Sequence, residues 1–323
     1  MIDLKRKSFG IIATEMNEEQ LKYWFDFKRS KFLHNIDTFY YSVKFHNDFT
    51  INTTDPNVIQ FRKFFKQQYE LLNDNPKLDF IPVDFDEFRL NLRKFSFAHM
   101  YTICLECPDW FDIFIAPSVP SASDGGASVT CEMVVQIRSY MLWMYGVHDC
   151  FERSYSYVQA IAKQFEFSID FCQENRIDYC WHSNYLTNPE KFFSLENFYK
   201  MRVDRFSDAL THTEKVGSNG FEIDYVALGK RSDKVFIRIY LKSKEVIEQA
   251  YKGWFFYVWL FNGLINRYDL YVYEECYKRR NWNYLNLARC AFYLEHGIDD
   301  SLKLTCNRLI SGDLTMQENS LQQ

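Results

Sequence analysis

Apolar and polar positions change period several times along the chain, and each change marks an element. Leu21, Trp24, Phe25 and Phe32 recur at helical spacing and predict an amphipathic helix over 17–33. A strand is expected over 37–45. Asp55-Pro56 has the form of an N-cap followed by a first-turn proline, opening a helix with Val58, Phe61, Phe65 and Tyr69 on one side. Runs 97–104 and 111–115 read as strands, separated from the next run by a Pro/Ser/Gly-rich loop over 117–128. Over 129–138 the alternation is regular: Cys131, Met133, Val135 and Ile137 share one face, and Glu132, Val134, Gln136 and Arg138 the other. A helix is expected over 154–166, strands over 168–172 and 176–182, and a helix over 195–209. Strands over 221–228, 235–242 and 267–273 follow, with helices over 243–253 and 281–295 and a polar, disordered tail over 312–323. Strands and helices mix without βαβ alternation and without an internal repeat. This predicts an α+β fold with a mainly antiparallel central sheet flanked by helices. The expected domains are an N-terminal helical extension over 1–34, one large domain over 35–311, and the tail.

Composition narrows the function classes. Hydrophobic residues make up 47% and charged residues 25% of 323 residues, as in an ordinary globular protein with a sizeable core. Aromatic residues reach 19%, enough to fill that core and leave rings for a binding face. The start is polar and basic without an apolar run behind it, and the longest apolar window, 254–260, is too short to span a bilayer. A cytoplasmic protein with no membrane partner is expected. Nine cysteines without framework spacing suggest reduced thiols, and Cys104-x-x-Cys107 lacks the second pair that a zinc site needs. A net charge of −5 argues against coating DNA non-specifically. Against that acidic background, 229–244 concentrates Lys230, Arg231, Lys234, Arg238, Lys242 and Lys244 with one acid, Asp233. Such a basic window suits a phosphate backbone.

Strand periodicity then gathers polar groups. Arg176, Asp178 and His182 share a face of one predicted strand; Arg238, Tyr240 and Lys242 share a face of another; Arg267, Asp269 and Tyr271 share a face of a third. The combination suits phosphodiester transfer. Asp and His can hold a divalent ion, Arg and Lys can neutralise developing charge, and Tyr can supply an oxygen nucleophile. Each piece taken singly also fits a half-buried strand tyrosine, an ion-pair carboxylate or a core histidine. Tyr273 and Tyr277 form a rival pair in a setting that reads as structural.

The order Arg-Ile-Asp (176–178), Gly-Lys-Arg-Ser-Asp (229–233), Arg-Ile-Tyr-Leu-Lys (238–242) and then Glu245 resembles the Rep_trans family of plasmid replication initiators and conjugative nickases. The resemblance spans roughly residues 35–300, with 176–182 and 229–245 as its specific stretches. It implies a metal-dependent DNA nicking endonuclease and strand transferase of the HUH-like Rep type. Such an enzyme initiates rolling-circle replication through a covalent 5′-phosphotyrosine at Tyr240, with Arg238 and Lys242 assisting. Asp178, His182 and Glu132 would hold Mg²⁺ or Mn²⁺, and Lys230, Arg231, Lys234 and Arg176 would contact DNA. The implied partners are origin DNA, as a hairpin or single-stranded nick site, a host helicase and a second copy in a homodimer. A relaxase with the same chemistry, or a DNA-binding relative without activity, would share these residues. Two positions depart from the family pattern. His182 stands where a second acid is common and Asp269 where a later Glu is. No His-apolar-His motif is present.

Overall fold

The computed structural model describes residues 32–94, 96–120, 130–184, 210–217, 220–228, 235–265 and 272–280. The predicted helices over 195–209 and 281–295, nearly all of the helix over 17–33 and the tail over 312–323 lie outside them. The chain divides into two compact units. One is built on residues 36–177. The other is built on 178–280 together with the start of the first strand.

The first unit comprises β1 (Phe32–Phe45), α1 (Pro56–Asp74), β2 (Phe80–Phe85), β3 (Phe88–Arg93), β4 (Ile103–Cys107), β5 (Phe111–Ile115), β6 (Met133–Ile137), α2 (Ser139–Gln164) and the first part of β7 (Ile169–Ser183). Its strand order is β2-β3-β4-β5-β6-β1-β7. The pairings from β2 through β6 to β1 are antiparallel, with Tyr41 of β1 opposite Val135 of β6. Alternate residues Phe39, Tyr41, Val43 and Phe45 of β1 are buried. They meet aromatic side chains from the helices: Tyr41 packs on Phe151 at 5.0 Å, and its hydroxyl bonds the Ser154 hydroxyl at 2.9 Å. Phe45, Phe49, Phe61, Phe165 and Phe167 form a second aromatic layer with ring centroids 5.1–5.8 Å apart. Much of the aromatic excess is therefore core.

α1 starts as its sequence dictates. Asp55 is extended and its carboxylate accepts from the Asn57 and Val58 N–H groups at 2.9 and 3.3 Å, while Pro56 takes the first helical position without losing a hydrogen bond. Several predicted bounds shift. α2 begins at Ser139 rather than 154, as two helical stretches that meet at a kink where Gly146, at φ 79°, leaves the helical conformation and breaks the apolar period. The strand expected over 97–104 is confined to β4; Ala98 and Tyr101 close a turn before it. The β2–β3 hairpin was hidden by Pro82, which an edge strand tolerates.

The second unit holds the rest of β7, then β8 (Leu210–Gly217), β9 (Gly220–Leu228), β10 (Val235–Tyr240), α3 (Lys242–Glu248), a 3₁₀ turn (Ala250–Lys252), α4 (Trp254–Phe261) and β11 (Tyr273–Arg280). Its strand order is β7-β11-β10-β9-β8, with β8–β9, β9–β10 and β10–β11 antiparallel. The fold class is α+β with a mainly antiparallel sheet. Among the described residues, no helix is long and apolar enough to cross a membrane.

Candidate active site

β10 ends at Tyr240, and Leu241, with extended φ/ψ, turns the chain into α3. The predicted strand over 235–242 thus stops two residues early, and Lys242 is the first residue of a helix. The turn is pinned to the segment entering β11: the Ser243 N–H bonds the Val272 carbonyl at 2.9 Å, and Ser243 Oγ accepts from the Val272 N–H at 3.3 Å. A strand end followed directly by a helical turn brings residues 240, 242 and 245 to one point, because i and i+3 on a helix lie on the same side.

Lys242 Nζ donates to the Tyr240 hydroxyl at 3.0 Å. The hydroxyl in turn donates to Glu245 Oε2 at 3.0 Å. Lys242 also pairs with that carboxylate at 2.9 Å, and Lys252 Nζ closes on Oε1 at 2.8 Å. Lys242 is 2% exposed and Tyr240 6%. A buried ammonium is tolerated only with such partners. Burial would push the Glu245 carboxyl up, but the Lys242 charge and the hydrogen bonds from Lys252 and Lys242 outweigh it and hold it below its ordinary value. Glu245 is therefore a carboxylate at neutral pH. Among the described residues, two ammonium groups close on this one carboxylate beside the tyrosine oxygen.

Phe255 forms the floor, with Lys242 Nζ 4.8 Å from its ring centroid and the His182 ring 5.2 Å away edge-on. His182 is fully buried, and its Nδ1 accepts from the Trp259 indole N–H at 2.9 Å. His182 packs in an aromatic core with Phe255 and Trp259, its Nδ1 engaged by the Trp259 indole. Glu132, another of the expected ligands, is engaged as well. It lies in the first unit, where one carboxylate oxygen is ion-paired with Lys44 and the other accepts from the Phe45 N–H at 2.9 Å. Asp178 is buried in the second unit. Among the described residues, the one group of three side chains close enough to share an ion is His148, Asp149 and Glu152, on α2 of the first unit.

The other expected contacts divide. Arg176 lies in the first unit with its guanidinium 5.3 Å from the Tyr40 ring. The Arg238 backbone sits in β10 opposite Cys276 and Ala227, but its side chain lies outside what is described. Lys230, Arg231 and Lys234 also lie outside the described residues, as do the side chains of Tyr273 and Tyr277. What the strand pattern missed is the part played by Glu245 and Lys252. The signal was present as Lys242-x-x-Glu245, an i,i+3 pair that becomes visible only when the helix is started at Lys242.

No family model matches the chain, and no curated protein matches it. Among solved structures, the chain is similar to a rolling circle replication initiator protein from Geobacillus stearothermophilus, at 11% identity over 83% of this chain and 80% of that one, with a TM-score of 0.38.

Proposed function

We propose that this chain is a DNA nickase and strand transferase of the rolling-circle initiator type, with Tyr240 as nucleophile. The observation that carries the reading is the Tyr240 hydroxyl held between an ammonium donor and a carboxylate acceptor, each at 3.0 Å. That is the environment a tyrosine needs to attack a phosphodiester. Its oxygen has a cation to stabilise developing charge, and its proton has an acceptor. The motif order from Arg176 to Glu245 supports the same reading. Attack at phosphorus forms a Tyr240–phosphate bond, breaks the bond to the 3′ oxygen, and leaves a free 3′ hydroxyl able to prime synthesis. A relaxase would use identical chemistry with different partner machinery.

A second reading, a DNA-binding relative without nicking activity, is favoured by one observation, the 6% exposure of Tyr240. One experiment separates the two. The full chain is incubated with a random-sequence single-stranded DNA library, with and without Mg²⁺ or Mn²⁺, and DNA that stays protein-linked after denaturation is recovered and sequenced. The expected result is a 5′-phosphotyrosyl adduct mapped by mass spectrometry to Tyr240. Tyr240→Phe should lose the adduct and hold the recovered DNA within a few-fold of wild type. An adduct that survives in Tyr240→Phe, or no adduct from the wild-type chain, would overturn the nickase reading.

A further inference from the structure

We propose that Glu245 is the proton acceptor for Tyr240, and that Lys252 is a positioning residue that holds Glu245 in place for it. The inference rests on the nickase reading and adds to it the route of the proton. The Tyr240 O–H points at Glu245 Oε2 at 3.0 Å, while Lys242 Nζ approaches the same phenolic oxygen, also at 3.0 Å. The two bonds give the oxygen complementary roles. It donates to Glu245 and receives from Lys242, so its proton already lies on an acceptor. Glu245 cannot turn away, because its second oxygen is fixed by Lys252 at 2.8 Å and Lys242 closes on the first at 2.9 Å.

As Tyr240 attacks, its O–H bond breaks and the proton passes to Glu245 Oε2. The freed electron pair forms the O–P bond, and the P–O3′ bond breaks. The 3′ oxygen leaves with that electron pair and takes a proton from water. In the reverse, strand-joining direction, the 3′ hydroxyl attacks and Tyr240 recovers its proton from Glu245. Lys242 stays protonated throughout and stabilises the phenolic oxygen in both directions. Among the described residues, the charged and titratable groups facing Glu245 are Tyr240 at the end of β10, Lys242 on its own helix and Lys252 on the 3₁₀ turn, with His182 of β7 beyond the Phe255 ring.

The test uses the full chain and DNA recovered from the library, following the single-turnover rate of adduct formation against pH. Glu245→Gln keeps the shape but removes the proton acceptor. Its rate should fall on the order of 10²–10³-fold near neutrality and then climb about tenfold per pH unit, as hydroxide deprotonates Tyr240 in its place. A carboxylate that only supported the fold would give no such rescue. Lys252→Met provides an independent arm that keeps Glu245. Loss of that ammonium should move the acid limb of the profile upward, with Lys252→Arg restoring it. Tyr240→Phe runs in parallel. If Tyr240→Phe is inactive while Glu245→Gln matches wild type, or falls without rescue by base, the proton route is wrong and the nickase reading stands. An acid limb unmoved in Lys252→Met also overturns the route. If Tyr240→Phe still forms the adduct, both fall together.

Discussion

At the scale of single residues, the second unit's polar core depends on one buried lysine. Lys242 sits at 2% exposure with Glu245, Tyr240 and the Phe255 ring around it, and each contact offsets part of the cost of taking an ammonium out of water. On the far side of Phe255, His182 has the opposite character, being a ring packed among rings and held by the Trp259 indole. This difference yields a prediction. His182→Ala should cost on the order of 2–4 kcal/mol, through a cavity and an orphaned indole N–H, measured as a lower urea midpoint. Any dependence of adduct formation on Mg²⁺ should keep its half-saturation point. A large shift in that point with unchanged stability would make His182 a metal ligand. How legible these residues were follows from distance along the chain. Alternation put Arg238, Tyr240 and Lys242 on one face, and the motif order then picked out Tyr240 with Glu245 close behind it. That Glu245 meets the Tyr240 hydroxyl required knowing that the strand stops at Tyr240, and the partner that fixes His182 lies 77 residues away, where no local period could reveal it.

At the scale of elements, legibility tracked how many faces a segment buries. α1, β5 and β9 were readable because a cap, a short apolar run bounded by turns, or a clean alternation marks each. β6 is buried on both sides, with Met133, Val134 and Val135 all covered, so its alternating pattern overstated a polar face. β7 is one strand of 15 residues where a break at Gln173 to Asn175 suggested two. β8 is polar enough in Thr211 to Lys215 to pass for loop, and it becomes a strand by pairing with β9. The best-marked boundary is also the easiest to test. Asp55→Ala should lower stability by about 1 kcal/mol, because two N–H groups lose their acceptor. Burial pushes the Asp55 carboxyl up, but bonds from Asn47, Val58 and Asn57 hold it lower overall. A depressed carboxyl stabilises the fold above its unfolded pKa, and that contribution disappears as pH falls through the folded value. The difference between wild type and Asp55→Ala should therefore shrink on acidification below the ordinary carboxylate range, as read by urea denaturation across pH. A constant difference down to strong acid would mean that the cap acts through packing rather than charge.

At the scale of the whole molecule, the puzzle is how a chain of net charge −5 would hold a polyanion. The basic window over 229–244 supplies the candidate grip, and the structure removes one member from it. Lys242 spends its charge internally, on Glu245 and the Tyr240 oxygen. On the proposed nickase reading, phosphate contacts would come from the residues that precede β10 in sequence, Lys230, Arg231 and Lys234. Each lysine or arginine that neutralises a phosphate releases counterions, at close to 0.7–0.9 of a unit of salt slope per contact. The double substitution Arg231→Ala with Lys234→Ala should weaken binding of the library-selected DNA and flatten the slope of log K against log salt by somewhat under about two units. The adduct rate at saturating DNA should stay close to wild type, because neither residue belongs to the Tyr240–Lys242–Glu245 arrangement. An unchanged slope would mean that the strand reaches Tyr240 from another side, and the arginine and lysine of this segment would then be solvated charges on a turn.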